Sequence, residues 1–181
     1  MHIRIIAGQF GKRKITAPDS GVTHPMSERV RNALFNIVGD EVDGASVLDA
    51  FAGSGSIGFE ALSRGARDVT FVENDQKAVE ALRHNARLLK CEDAATIIKQ
   101  KVHTYAASAT KGSYDVIIAD PPYDDMQLST VDMLFDLLKV GGLMILSHPG
   151  RGEAPTKTGV VVVDNRSYGT AGLTFYRRED T

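Results

Sequence analysis

The chain is predicted to fold as a doubly wound, mostly parallel α/β sheet, preceded by a β-hairpin plus helix and closed by an antiparallel C-terminal hairpin. Three observations predict this. From residue 45 onward, short β-prone runs alternate with helical patterns, as in successive βαβ units. Gly53-Ser54-Gly55-Ser56-Ile57-Gly58 stands directly between the first such run and the first helix, the context a ligand-binding glycine loop requires. The last two runs have no helix between them, which makes them an antiparallel pair.

Taken in order, Ile3-Arg4-Ile5-Ile6 and Lys14-Ile15-Thr16 are short strands bracketing a turn that holds Gly8 and Gly11. Past Pro18 and Gly21 comes a helix: Pro25 and Ser27 near its start, Val30, Ala33, Leu34, Ile37 and Val38 at helical spacing, and Gly39 as terminator. Residues 40–44 join it to the main body. Strand 47–51, helix 57–63 and strand 69–72 form the first βαβ unit. A helix over about 75–90, a weaker strand at 96–98, an Ala-rich segment near Tyr105 and a strong strand at 115–119 follow. A helix near 131–138, a Gly141-Gly142 turn and strand 143–146 complete the alternation, before the paired runs 160–163 and 173–176. Each parallel crossover is expected to be right-handed.

Composition narrows the function classes. At 181 residues, with 43% hydrophobic and 24% charged, the chain sits in the ordinary globular range. Its single cysteine, Cys91, excludes a disulfide framework and fits a reducing cytoplasm. No early apolar stretch approaches the ~18 residues of a membrane span, so a soluble protein is expected. Net charge is −2, yet residues 1–31 carry six Lys/Arg against Asp19 and Glu28, making them +4 and the remainder −6. That asymmetry points to a polyanion partner for the N-terminus or to a solvated face.

The glycine loop has a companion: Glu73 lies twenty residues beyond Gly53, at the tip of the next strand. Glycines admit a ligand close to the backbone, the helix N-terminus offers free N–H groups, and an acid there accepts from two ribose hydroxyls. NAD and S-adenosylmethionine both suit such a site. Asp49, at the end of the first strand, repels a pyrophosphate but attracts the ammonium of a methionine moiety, directly or through water. Alternatively it holds the turn by accepting loop N–H groups. No Lys or Arg lies between Val47 and Ser63 to meet a phosphate.

Asp120-Pro121-Pro122-Tyr123 follows the most apolar strand, placing it at the carboxyl edge beside the glycine loop. The Asp120 carboxylate and the Pro121 carbonyl are rigid acceptors suited to an NH2 group. Two acceptors holding the hydrogens of an exocyclic base amine aim its lone pair at a methyl donor, and Asp120 stabilises the charge that develops as the bond forms. Tyr123 offers a flat face for a base.

The Asp120-Pro121-Pro122-Tyr123 block resembles the D/N-P-P-Y/F motif of amino methyltransferases. The run from Asp49-Ala50-Phe51-Ala52-Gly53 through Gly65-Ala66 is similar to the cofactor motif of the RsmD family, which methylates a guanine N2 in small-subunit ribosomal RNA using S-adenosylmethionine. Ile5-Ile6-Ala7-Gly8 through Gly11-Lys12-Arg13, and Pro25 through Asn36, resemble that family's basic hairpin and first helix. The resemblance runs through Tyr176 and implies a Rossmann-like class I methyltransferase fold. It implies cofactor contact at Asp49, Phe51, Ala52, Gly53, Ser54, Gly55, Gly58, Glu73 and Asn74. Target-amine contact is implied at Asp120 and Pro121, with Tyr123 stacking the flipped base. Two departures stand out: Gln100 and Lys101 replace the usual acid after the third strand, leaving Gln100 to accept from the adenine amine, and His24 replaces an arginine before Pro25.

The expected division is therefore residues 1–44 for RNA docking and 45–181 for methyl transfer. Arg4, Lys12, Arg13, Lys14, Arg29 and Arg31 are the candidate RNA contacts, the last two serving phosphates or solvating their helix. Ribosomal RNA, free or within a partly assembled small subunit, is the expected partner. Methylation of an exocyclic amine in DNA, or a nucleotide-responsive RNA-binding protein without catalysis, remain the alternatives. No metal is expected, because His2, His84, His103 and His148 show no paired ligand spacing, and Cys91, followed directly by Glu92-Asp93, is expected to be inert.

Overall fold

The computed structural model describes residues 1–18, 25–150 and 154–179. His24 and Gly21 lie outside them. A small hairpin, β1 (His2–Arg4) with β2 (Lys14–Thr16), leads to α1 (Glu28–Val38). Ser27 caps α1 by accepting from the Val30 amide at 3.2 Å, and Gly39 ends it at φ 57°. Both features match the helix signals in the sequence.

The main sheet then builds from β3 (Ser46–Ala50), α2 (Ser56–Ser63), β4 (Asp68–Glu73), α3 (Gln76–Leu88) and β5 (Ala95–Lys99). It continues with α4 (Val102–Ser108), β6 (Tyr114–Ala119), α5 (Leu128–Leu134), β7 (Leu138–His148), β8 (Val160–Tyr168) and β9 (Ala171–Arg178). Strand order is β5-β4-β3-β6-β7-β9-β8, parallel through β7, with β9 inserted antiparallel between β7 and the edge strand β8. The expected Rossmann-like sheet with its antiparallel C-terminal hairpin is thus the observed one.

Two expectations need adjusting. The Ala-rich segment near Tyr105 is a helix, short because only Val102 and Ala106 bury a face. Gly141-Gly142 is not a turn between helix and strand. It lies inside β7, where pairing slips from Leu138 opposite Tyr114 to Leu143 opposite Val116, so the glycines form a bulge within one strand.

Apolar clusters cover both faces of the sheet. One joins α2 and α3 to the sheet and also takes in Ile5, Phe10 and Ile15 of the hairpin and Val30, Leu34 and Val38 of α1. The other packs α4 and α5 against Leu48, Ile117, Met144 and Tyr176. The N-terminal segment therefore shares a core with the main body. Its fastening is polar as well: the fully buried Glu60 of α2 accepts from the Ile6 and Ala7 amides at 2.9 and 3.1 Å.

Candidate active site

Strand order reverses direction at β3, which has β4 on one side and β6 on the other. Crossovers leave opposite faces there, opening a crevice at the carboxyl ends of the strands. The cleft found at that point has a volume of about 1100 Å³ and is lined by Phe51, Ala52, Gly53, Ser54, Glu73, Asn74, Gln100, Asp120, Pro121 and Tyr123, among others. The glycine loop and the Asp-Pro-Pro-Tyr loop therefore share one cavity.

The loop after β3 is shaped by specific contacts. Phe51 turns the chain with φ 60°. The Gly53 amide donates to Glu73 Oε1 at 2.9 Å and the Asp75 amide to Oε2 at 2.7 Å. Each carboxylate oxygen keeps a further lone pair for a ligand hydroxyl. Gly55 and Gly58 lie off the cleft wall. Gly55 has φ 88°, and a Cβ there would sit 2.6 Å from Leu82 and Phe59 atoms; one on Gly58 would sit 2.2 Å from the Phe71 ring. Gly58 lets α2 lie close on β4 and Gly55 leaves room for Leu82 of α3, while Gly53 lines the cavity.

Asp49 is fully buried beneath the loop. Its Oδ2 accepts from the Gly58 amide at 2.9 Å, and its Oδ1 has no partner among the described residues. Burial pushes its carboxyl well above the usual carboxylate range; the Gly58 bond opposes this, and the nearby Asp120 and Glu73 charges add to it. Asp120 is likewise pushed up to about 6 by burial, against a hydrogen bond from Ser147. Carboxylates at Glu73, Asp75, Asp120, Asp124 and Asp125 outnumber Lys101 and His103 along the wall. Such a lining disfavours a pyrophosphate and favours a cationic ligand.

The candidate RNA contacts scatter more widely. Lys12, Arg13 and Lys14 are exposed at the hairpin, with Arg13 also donating to the Leu88 carbonyl at 2.9 Å. Arg4 is exposed and paired with Glu28. Arg29 is exposed, its guanidinium 5.9 Å over the Tyr168 ring at the cleft mouth. Arg31 requires a correction: it is 1% exposed, 3.4 Å from Glu60, and bonded to the Arg4 carbonyl. It ties the hairpin to α2 and cannot reach a phosphate.

Several cleft features were not read from the sequence. His103 lines the cavity, with Nδ1 3.4 Å from Thr130 Oγ1. Tyr168, Thr170 and Ala171 bring the β8–β9 turn to its rim. Ser147 underlies Tyr123, oxygen to oxygen 2.6 Å. Among the described residues no group of His, Cys, Asp or Glu is arranged to hold a metal, and no helix is long and apolar enough to cross a membrane.

Sheet order, switch-point cleft and paired loops define a Rossmann-like protein of the methyltransferase class, and comparison bears this out. A solved structure described as putative methyltransferase yhhF from Escherichia coli superposes with a TM-score of 0.89 at 31% identity, covering 100% of both chains. The putative rRNA methyltransferase YlbH of Bacillus subtilis is 31% identical over 182 residues, 97% of this chain and 99% of that one. Ribosomal RNA small subunit methyltransferase D of Escherichia coli K12 is 37% identical over 135 residues, 74% of this chain and 67% of that one. Residues 3–177 match the family described as Conserved hypothetical protein 95. The chain belongs to that family, the RsmD family.

Proposed function

We propose that the protein transfers a methyl group from S-adenosylmethionine to the exocyclic N2 of a guanine in small-subunit ribosomal RNA, in the cytoplasm. One observation carries this reading: the ribose-binding acid and glycine loop open into the same cleft as the Asp120-Pro121-Pro122-Tyr123 loop. The names of two relatives, a putative rRNA methyltransferase and a ribosomal RNA small subunit methyltransferase, support the substrate class.

The residues present fit the cofactor. Glu73 would take the ribose hydroxyls, Gln100 the adenine amine, and Phe51 to Ser54 with Asn74 the surrounding surface. The unpartnered Asp49 Oδ1, buried beneath the loop, fits an ammonium reached through water, since a buried acceptor without a donor is costly. The acidic lining suits a molecule carrying both ammonium and sulfonium charge. When bound, S-adenosylmethionine supplies an electrophilic methyl group.

Asp120 and the Pro121 carbonyl would hold the two amine hydrogens and leave the nitrogen lone pair free for attack. Asp120, poised at about 6, is mostly ionised at neutral pH. It stabilises charge arising on the nitrogen and is basic enough to take the released proton. Tyr123, 40% exposed, presents its ring to the extruded base. Phosphates would stay outside the acidic cleft, on Lys12, Arg13, Lys14, Arg4 and Arg29. Residues 1–44 thus dock RNA and 45–181 carry the chemistry, within one shared core. A partly assembled small subunit is the proposed form of the substrate.

Incubation with labelled cofactor and undermethylated ribosomal RNA, free or in subunit particles, followed by nucleoside mapping, tests this. Label in N2-methylguanosine is the expected result. Label accepted by DNA and not RNA, or cofactor binding without any transfer, overturns it.

A further inference from the structure

The carboxyl edge of the sheet carries its ligand groups in spatial order. Gln100 follows β5, Glu73 ends β4, the glycine loop follows β3 and Asp120 follows β6. Tyr123 then reaches across to Ser147 of β7. Beyond β7 lie β9 and β8, whose connecting turn brings Tyr168, Thr170 and Ala171 into the same cleft. That turn is separated from the cofactor residues by the Asp120 loop, so what it meets is the methyl acceptor.

The turn is built to hold a ring still. Tyr168 pairs with Ala171 across a two-residue loop, and Gly169, at φ 67°, takes the left-handed backbone such a loop needs. Tyr168 and Ala171 both pack on the apolar cluster that includes Val30 of α1. The Tyr168 ring is only partly buried, and its phenol has no hydrogen-bond partner among the described residues. Because Ser147 lies opposite Leu173 and Tyr168 opposite Ala171, the Tyr168 backbone sits two strand spacings across and two residues along from Ser147, ~12 Å away. Arg29 is exposed and has no carboxylate partner among the described residues. Its guanidinium lies 5.9 Å from the Tyr168 ring centre, at the outer reach of a cation–π contact and so weakly held.

An aromatic face on a fixed turn, beside an unpaired cation, suits an unstacked base and its phosphate. The neighbouring position, Tyr123, is the one that takes the extruded guanine. We propose that Tyr168 stacks the base of the nucleotide next to that guanine and that Arg29 leaves the ring to meet the phosphate. Stacking accepts any base, so the turn selects a target whose neighbour is also unpaired rather than a particular sequence. The proposal rests on the function proposed above.

Methylation kinetics of wild type, Tyr168→Leu, Tyr168→Phe and Arg29→Ala test it, beside cofactor calorimetry and thermal unfolding. Leucine keeps an apolar group packed under the turn and removes the stacking face. The acceptor is small-subunit ribosomal RNA, free or in particles as the mapping experiment dictates, either intact or with an abasic nucleotide placed 5′ or 3′ of the methylated guanine. Tyr168→Leu is expected to raise KM for intact RNA about ten-fold, the effect of losing one stacked base, and Tyr168→Phe to stay near wild type. On one of the two abasic RNAs the wild type should lose the same factor, and its difference from Tyr168→Leu should vanish. Cofactor affinity should match wild type in every variant. Arg29→Ala should lower the log-log salt slope of RNA binding by about one unit. A wild-type KM in Tyr168→Leu overturns the proposal, as does a Tyr168→Phe protein as weak as Tyr168→Leu. So does a wild type indifferent to both abasic substitutions, whatever the variants do. A wild type that transfers no methyl to ribosomal RNA defeats the underlying function instead. An active wild type whose KM is the same with and without the Tyr168 ring defeats this inference alone.

Discussion

The Asn85 side-chain amide donates to the Ser54 carbonyl at 3.1 Å, so α3 holds the glycine loop directly. The same side chain donates to the Thr16 carbonyl and accepts from the Thr16 amide, both at 2.9 Å. One fully buried residue thus secures the cofactor loop and the first hairpin. Asn85→Ala leaves these backbone groups without partners and should lower unfolding stability by about 2–3 kcal/mol. Cofactor affinity should fall with it. Chemical denaturation and calorimetry check both; a wild-type unfolding midpoint would show that the bridge is dispensable.

Glu73→Ala removes the expected ribose acceptor together with the bonds to Gly53 and Asp75, and should weaken S-adenosylmethionine binding by about 1–3 kcal/mol. Glu73→Gln, keeping one acceptor oxygen, should fall between. NAD should not bind to the wild type, because acidic side chains dominate the cleft wall. Titration calorimetry decides, and tight NAD binding would reassign the site.

Replacing Lys12, Arg13 and Lys14 together with Ala should lower RNA affinity and reduce its log-log salt slope by about 2–3 units. Cofactor affinity should not change. Arg31→Ala should behave differently, costing about 3 kcal/mol of stability, the low end for a broken buried pair, since Arg64 stays with Glu60 at 2.8 Å. RNA binding measured over a salt series, beside denaturation curves, separates the two effects. A triple variant with the full wild-type salt slope would remove the hairpin from the interface.

Asp120→Ala should cut kcat by about 10²–10³ while leaving cofactor binding within a few-fold. In the wild type, activity should decline as pH falls through about 6, where Asp120 takes up a proton. The stability effect has the opposite sign. A folded carboxyl at about 6 binds protons more tightly than an unfolded one near ~3.9, so this group's contribution declines as pH rises between those values. Asp120→Asn should therefore be slower yet no less stable at neutral pH. Rate profiles and unfolding midpoints across pH provide the check. An Asp120→Asn protein with wild-type turnover would contradict the electrostatic role.

The parts of the fold that could be read in advance carry their signals locally. Apolar runs at 47–51, 69–72 and 115–119, each near turn residues, announce strands without knowledge of their partners, and Ser27 and Gly39 mark the ends of α1. The features missed depend on groups far away in the chain. Arg31 sits on an amphipathic helix and looks solvated, because its partner Glu60 is 29 positions on. Ser147 meets Tyr123 across 24 positions, and Asn85 meets Ser54 across 31. An isolated serine or asparagine has no periodicity to betray it. Gly141-Gly142 misleads for another reason: a bulge and a turn ask for the same residue.

Glu60 has one further consequence. Because its carboxylate grips two successive backbone amides of the leading segment, recognition there is of main chain rather than of side chains, and almost any residue could stand at positions 6 and 7. The leading arm can therefore diversify its outward-facing chemistry while its seat stays constant. What cannot be exchanged freely is the seat itself. A chimera given another protein's arm should assemble only if that arm presents the same pair of N–H groups to Glu60 and the same backbone edge to Asn85.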